Sequence, residues 1–176
     1  MASWETAVAA QSSSVAMSAA PSFEPRTRQT TDALGNTIVS RSVYNRTTGR
    51  YETVQEIMVP YGYEITDIEL ANLEKIRYIM VSKNGQTGFI SGEGGPVDPV
   101  MYDFVEAQSG RWRTRHFLVG RGERVGLLNE NAAPVLPVVF SAIEVDQFTI
   151  KVTHPDDYIG YADWEGHVFL PIEIGE

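Results

Sequence analysis

The sequence contains no cysteine, which excludes disulfides, thiolate metal sites and a thiol nucleophile and fits a reducing compartment. No apolar run approaches the roughly 18 to 20 residues of a membrane-spanning helix, so membrane insertion is not expected. Positive charge is scarce: 14 Lys and Arg stand against 23 Asp and Glu, for a formal net charge of -9. A field of that sign repels phosphate backbones, and nucleic acid is not an expected partner. The three histidines, His116, His154 and His167, are scattered without HxH or HExxH spacing, so no metal or other cofactor is expected. Gly-x-Ser-x-Gly, a Ser-His-Asp order and paired carboxylates are also missing, which argues against an enzyme. The first residues lack the basic region of a secretory signal. A cytoplasmic or virion-associated protein is the expectation.

What the chain does contain is β pattern. Residues 1–30 are rich in Ala, Ser and Thr with little apolar periodicity, too little to offset chain entropy, and read as a flexible N-terminal arm. From 31 to 176 the sequence predicts one β domain. Thr37 to Tyr44 and Tyr51 to Val59 are β-branched and aromatic runs flanking a turn at Asn45 to Gly49. Asn84-Gly85 is a two-residue hairpin signal. Residues 67–75, with Asp67 as cap and Ile68, Leu70, Leu73 and Ile76 on one face, predict one short helix.

The β segments repeat. Eleven residues before Pro60, Pro99, Pro137 and Pro171 stand Gly49, Gly88, Gly126 and Gly160. With 15 glycines among 176 residues, four such hits have chance odds of about one in twenty thousand. Three residues after the prolines stand Tyr63, Tyr102, Phe140 and Ile174, all large and apolar. The units span about 36–66, 77–107, 115–145 and 148–176. A glycine inside a strand marks a bulge or a close approach, and proline belongs at a strand start or an edge. Short strands that cannot bury a face alone must stack on the next unit, so the predicted fold is all-β, four stacked repeats of short antiparallel strands.

Thr87-Gly88-Phe89-Ile90, Val125-Gly126-Leu127-Leu128 and Ile159-Gly160-Tyr161-Ala162, with Tyr102-Asp103 after the second proline, resemble WG repeats, a β-hairpin repeat family. No Trp precedes any of the four glycines, so the resemblance is that of a divergent member or a convergent relative. It implies a binding or scaffolding array without family-wide catalytic residues. Thr31 to Asn36, with Tyr44 and Gly49-Arg50, is similar over about 20 residues to Rhs-type YD repeats.

One basic and aromatic cluster stands out in this acidic chain: Arg111, Trp112, Arg113, Arg115 and His116, with Arg121 and Arg124 across a hairpin. Trp and Arg are enriched at binding hot spots, which makes this the candidate partner-binding patch. The glycine-rich Ser91 to Gly95 lacks the Lys-Ser/Thr of a phosphate loop and reads as a turn, as does His154-Pro155-Asp156-Asp157. The functional expectation is a nonenzymatic structural or protein-interaction module in a larger assembly, such as a phage virion or bacterial apparatus. It would meet a protein partner, or itself, through the arm or an edge strand. The alternative is an acidic antitoxin-like or adaptor protein that binds a basic partner.

Overall fold

The computed structural model describes residues 23–94, 98–109, 115–146 and 149–169. They form fifteen strands in four antiparallel sheets, and each sheet is a meander of consecutive strands. The first holds β1 (Arg26–Thr31), β2 (Thr37–Asn45) and β3 (Arg50–Val59). The second holds β4 (Glu64–Leu70), β5 (Ile76–Lys83), β6 (Gln86–Ser91) and β7 (Met101–Tyr102). In the third are β8 (Phe104–Ser109), β9 (Arg115–Arg121), β10 (Arg124–Leu128) and β11 (Pro134–Phe140). The fourth has β12 (Ala142–Val145), β13 (Ile150–Thr153), β14 (Ile159–Ala162) and β15 (Val168–Phe169).

Three buried clusters join the sheets in series. Val39, Ile57 and Val59 of the first sheet meet Ile76, Ile79, Val81 and Ile90 of the second. On its other face β5 turns Tyr78 toward Phe117, Val119 and Leu128 of the third sheet, where the rings of Tyr78, Phe89 and Phe117 lie 5.0 to 5.7 Å apart. Leu127, Leu136 and Phe140 then pack on Ile143, Ile150, Val152 and Ala162 of the fourth. The central strands are therefore buried on both faces, which explains why RYIMV and HFLVG read as unbroken apolar runs rather than alternating ones.

The chain passes between sheets without a loop in two places. Only Asp103 separates β7 from β8, and only Ser141 separates β11 from β12. Each pair is one strand that bends and changes sheet, as at the corners of stacked sheets. Tyr102 and Phe140 are the last residues before these corners and are buried; Tyr63 directly precedes β4 at the passage from the first sheet. Gly88, Gly126 and Gly160 each lie in the third strand of a four-stranded sheet and pair with the buried Val81, Val119 and Val152. A Cβ on Gly88 would sit 2.8 Å from Val100 O, and one on Gly126 2.9 Å from Leu136 O, so the proline-bearing segment passes directly over both glycines. Gly49 differs: it ends the β2–β3 turn at φ 68°. Pro60 follows β3, Pro99 precedes β7 and Pro137 lies within β11, whereas Pro171 and Ile174 lie outside the described residues.

One five-residue turn recurs at Asp32–Asn36, Asn129–Ala133, His154–Tyr158 and Asp163–His167. In each, the first N–H donates to the fifth carbonyl and the fourth N–H to the first carbonyl. The fourth residue has positive φ: Gly35, Ala132, Asp157 and Gly166. This is a type I turn closed by a left-handed residue, a common three-residue hairpin connection. Asn84-Gly85 forms its expected hairpin with both residues at positive φ, as a type I′ turn requires.

The helix expected over 67–75 is absent. Residues 64–70 are β4, paired along its length with β5, and 71–75 form a turn in which Asn72 Oδ1 accepts from the Glu74 and Lys75 amides. The reason is long-range. Arg41, buried on β2, donates from Nε and Nη2 to Leu73 O. Gln55 on β3, its cross-strand partner, accepts from Ile76 N–H at 2.7 Å and donates to Ile76 O at 3.1 Å. These two side chains, supplied by the first sheet, pin the backbone at Leu73 and Ile76 in the turn and the start of β5. The expected arm boundary at residue 30 falls inside β1, an exposed edge strand paired with β2 from Arg26 to Thr31; residues 1–22 lie outside the described residues.

Candidate functional site

The expected basic patch is divided. Arg111, Trp112 and Arg113 lie outside the described residues. Arg115 and Arg121 occupy opposite ends of β9, about 20 Å apart at strand rise, on one face of the strand, while His116 points to the other. Arg115 pairs with Glu69 at 3.6 Å and hydrogen-bonds the Tyr78 hydroxyl, which holds its guanidinium more firmly protonated. Burial pushes the Tyr78 phenol up, with the Arg115 hydrogen bond acting against it. His116 is buried, its ring 4.6 Å from that of Trp164. Arg121 donates through Nη2 to Met101 O at 2.9 Å, tying the third sheet to β7, and Arg124 is its cross-strand neighbour. The described members thus act mainly as ties between sheets.

The polar groups that sequence reasoning missed are of the same kind. Gln55 Nε2 also donates to Gly92 O at 2.6 Å, so one side chain holds β5 and the turn after β6 together. The signal for it was a polar residue on the inward-facing positions of β2 and β3, where Arg41 interrupts Val39 and Gln55 precedes Ile57 and Val59. Asp103, the corner residue, accepts from Gln86 Nε2 at 2.8 Å and from Gly122 N–H at 2.6 Å; the Gln86 bond, then the Gly122 amide, keep its carboxyl below the usual value.

Two cavities of about 360 and 450 Å3 share Ser91, Asn131 and Ala133 and together form a trench along the turns. One half crosses from Val54 and Gln55 past Arg77 to the Ser91–Glu93 turn. The other half is apolar, walled by Phe89, Pro99, Val100, Leu128 and Pro134. Arg77 and Glu130 form an ion pair at 3.6 Å between the second and third sheets. The Gly-rich segment belongs to this wall as a turn: Gly92 N–H donates to Arg77 O at 2.8 Å, and a Cβ there would overlap the Ile76 carbonyl. A trench with one polar and one apolar half suits an extended peptide segment better than a small polar metabolite.

A third cavity, about 290 Å3, lies beside His154 and Asp156 on the last sheet. His154 Nδ1 is 3.3 Å from Asp156 Oδ2 and accepts the Asp156 N–H at 3.4 Å, the position taken by the Asp or Asn oxygen in the sister turns. Ser141 Oγ donates to Thr153 O and His154 O. Each of these contacts closes a turn or a corner. His116 is not part of this cavity's wall.

The chain matches no family model, no curated protein and no solved structure.

Proposed function

We propose that this chain is a nonenzymatic structural or protein-interaction module, a subunit or accessory of a larger assembly of the virion or bacterial-apparatus kind. The observation that carries the reading is the trench, a concave surface built from β3 of the first sheet and turns of the second and third. Stacked repeat proteins bind partners along such surfaces because each unit adds a few residues to one continuous face. In this reading the sheets are copies of a divergent WG-like unit, marked in the last three by a glycine in the third strand and in the second and third by a large ring at the corner. No helix among the described residues is long and apolar enough to cross a membrane.

The test is co-purification of the tagged chain from its native source beside an Ala133→Arg variant, whose side chain fills the trench. Stoichiometric recovery of assembly components with the parent chain and their loss with the variant is the expected result. Equal recovery with both chains, or no stoichiometric partner at all, rejects a trench-binding subunit. The second reading, an acidic adaptor for one basic partner, is favoured by Asp156, Asp157, Asp163 and Glu165 on the turns of the last sheet. A single basic protein that is released by salt and indifferent to Ala133→Arg supports that alternative.

A further inference from the structure

The two ends of the stack are unlike, and their differences are complementary. Lys151 pairs with Glu144 on one side and Tyr161 on the other, and Tyr161 with Phe169, so these four residues form one row across the last sheet. The row faces away from the core, because Ala162 and Ile150, the residues next to Tyr161 and Lys151, are buried in the inner cluster. Tyr161 is 43% and Phe169 58% exposed. Only the Glu144–Lys151 ion pair, 2.9 Å long, neutralises charge on this row. Across residues 142–169 six carboxylates stand against that one lysine.

The first sheet presents the opposite character. Val39, Arg41, Ile57 and Val59 point inward, so Ile38, Ser40, Glu56 and Met58 point out, with Arg28 opposite Ser40 and Thr30 opposite Ile38. Met58 is 40% exposed. Arg26 lies on the same outer face, its guanidinium 4.0 Å above the Tyr51 ring. Two arginines, one glutamate and an Ile38–Met58 strip thus stand against a pair of aromatic rings on a sheet that carries six carboxylates and one lysine, and thioether–aromatic contacts are favourable.

We infer that the last sheet of one copy docks on the first sheet of a second copy, so that the internal stacking of sheets continues from chain to chain. This rests on the reading of the chain as an assembly subunit and names the partner as itself. Charge decides the arrangement: two last sheets face to face would bring the carboxylate clusters together, whereas last on first opposes them to Arg26 and Arg28. A contact between two different faces leaves a free face at each end of a pair, so it grows past the dimer into a ring or an open filament.

The experiment is analytical ultracentrifugation of the full chain over a range of concentrations, at about 0.05 M and about 0.5 M salt, with Tyr161→Glu and Met58→Glu variants. The expected parent result is an average mass that climbs above 19.5 kDa with concentration without levelling at a dimer, and falls in high salt. Each variant alone loses association by about thirtyfold or more, the loss given by removing a central contact. Mixed together, they form a pair of chains, since each keeps the face that the other lacks. Urea melts matching the parent establish that both variants are folded. A parent that stays at 19.5 kDa, a plateau at the dimer, a variant that associates like the parent, or a folded mixture that does not pair overturns the inference. A monomeric parent that still recovers assembly components in the co-purification leaves the functional reading standing and removes only this one.

Discussion

Gln55 shows how much of this structure depends on single polar side chains that read backbone. Its amide makes three hydrogen bonds to Ile76 and Gly92, the pattern a neighbouring strand would make. Replacing it with alanine leaves those partly buried groups unpaired, at about 1 to 3 kcal/mol. Gln55→Ala is therefore expected to lower the urea midpoint accordingly with little change in slope, and an unchanged midpoint would show that water replaces the clasp. The exposed pair at the last turn gives a pH prediction. His167 Nδ1 lies 2.9 Å from Asp163 Oδ2, and that contact raises the His167 pKa from its ordinary 6.5. Partial burial raises the Asp163 pKa, but the bonds from the His167 ring and amide and from the Glu165 amide outweigh it and leave the carboxyl below its ordinary 3.8. The folded-state pKa of His167 is raised, so its stabilisation is full below 6.5 and is lost as pH rises through the folded value. That of Asp163 is depressed, so its stabilisation is full above 3.8 and is lost on acidification. Between those two values both are present. An NMR titration should place the His167 midpoint above 6.5, with Asp163→Asn returning it toward 6.5; the same midpoint in both proteins would remove the pair.

Among the elements, the strands were legible and the helix was misread, for one physical reason. Strands and hairpins follow from local chemistry: β-branched runs, Asn84-Gly85, and glycines that let another segment cross. The turn at 71–75 depends on Arg41 and Gln55, which are distant in sequence, so residues 67–75 kept a helical periodicity that the fold does not use. Tyr102 and Phe140, three residues after Pro99 and Pro137, stand just before two corners, but the spacing could not show that β7 and β11 continue into the next sheet. Within the Arg115–Arg124 cluster, strand alternation puts Arg115, Arg121 and Arg124 on one face and turns His116 to the other, with Arg115 and Arg121 at opposite ends of β9. At this scale the interface most sensitive to truncation is that of the second and third sheets. Phe117→Ala, which empties one position of the three-ring cluster, should cost about 3 to 5 kcal/mol in chemical unfolding. A cost under about 1 kcal/mol would mean that Tyr78 and Phe89 close over the gap.

For the whole molecule, burial in series predicts graded stability. Strands covered on both faces need two interfaces to open, and outer strands only one. Amide exchange should be slowest in β5, β9 and β10, and faster in β1 and in β12 to β15; uniform protection would show that the stack unfolds as one unit. The corners have a mechanical consequence of their own. With a single residue, Asp103 or Ser141, between strands of adjacent sheets, and about 3.8 Å between consecutive Cα atoms, neighbouring layers have almost no slack in which to slide. They can still tilt about the corner. Tension along the stack is therefore carried by covalent backbone at these joints, and the body yields by flexing like a jointed rod before its layers shear.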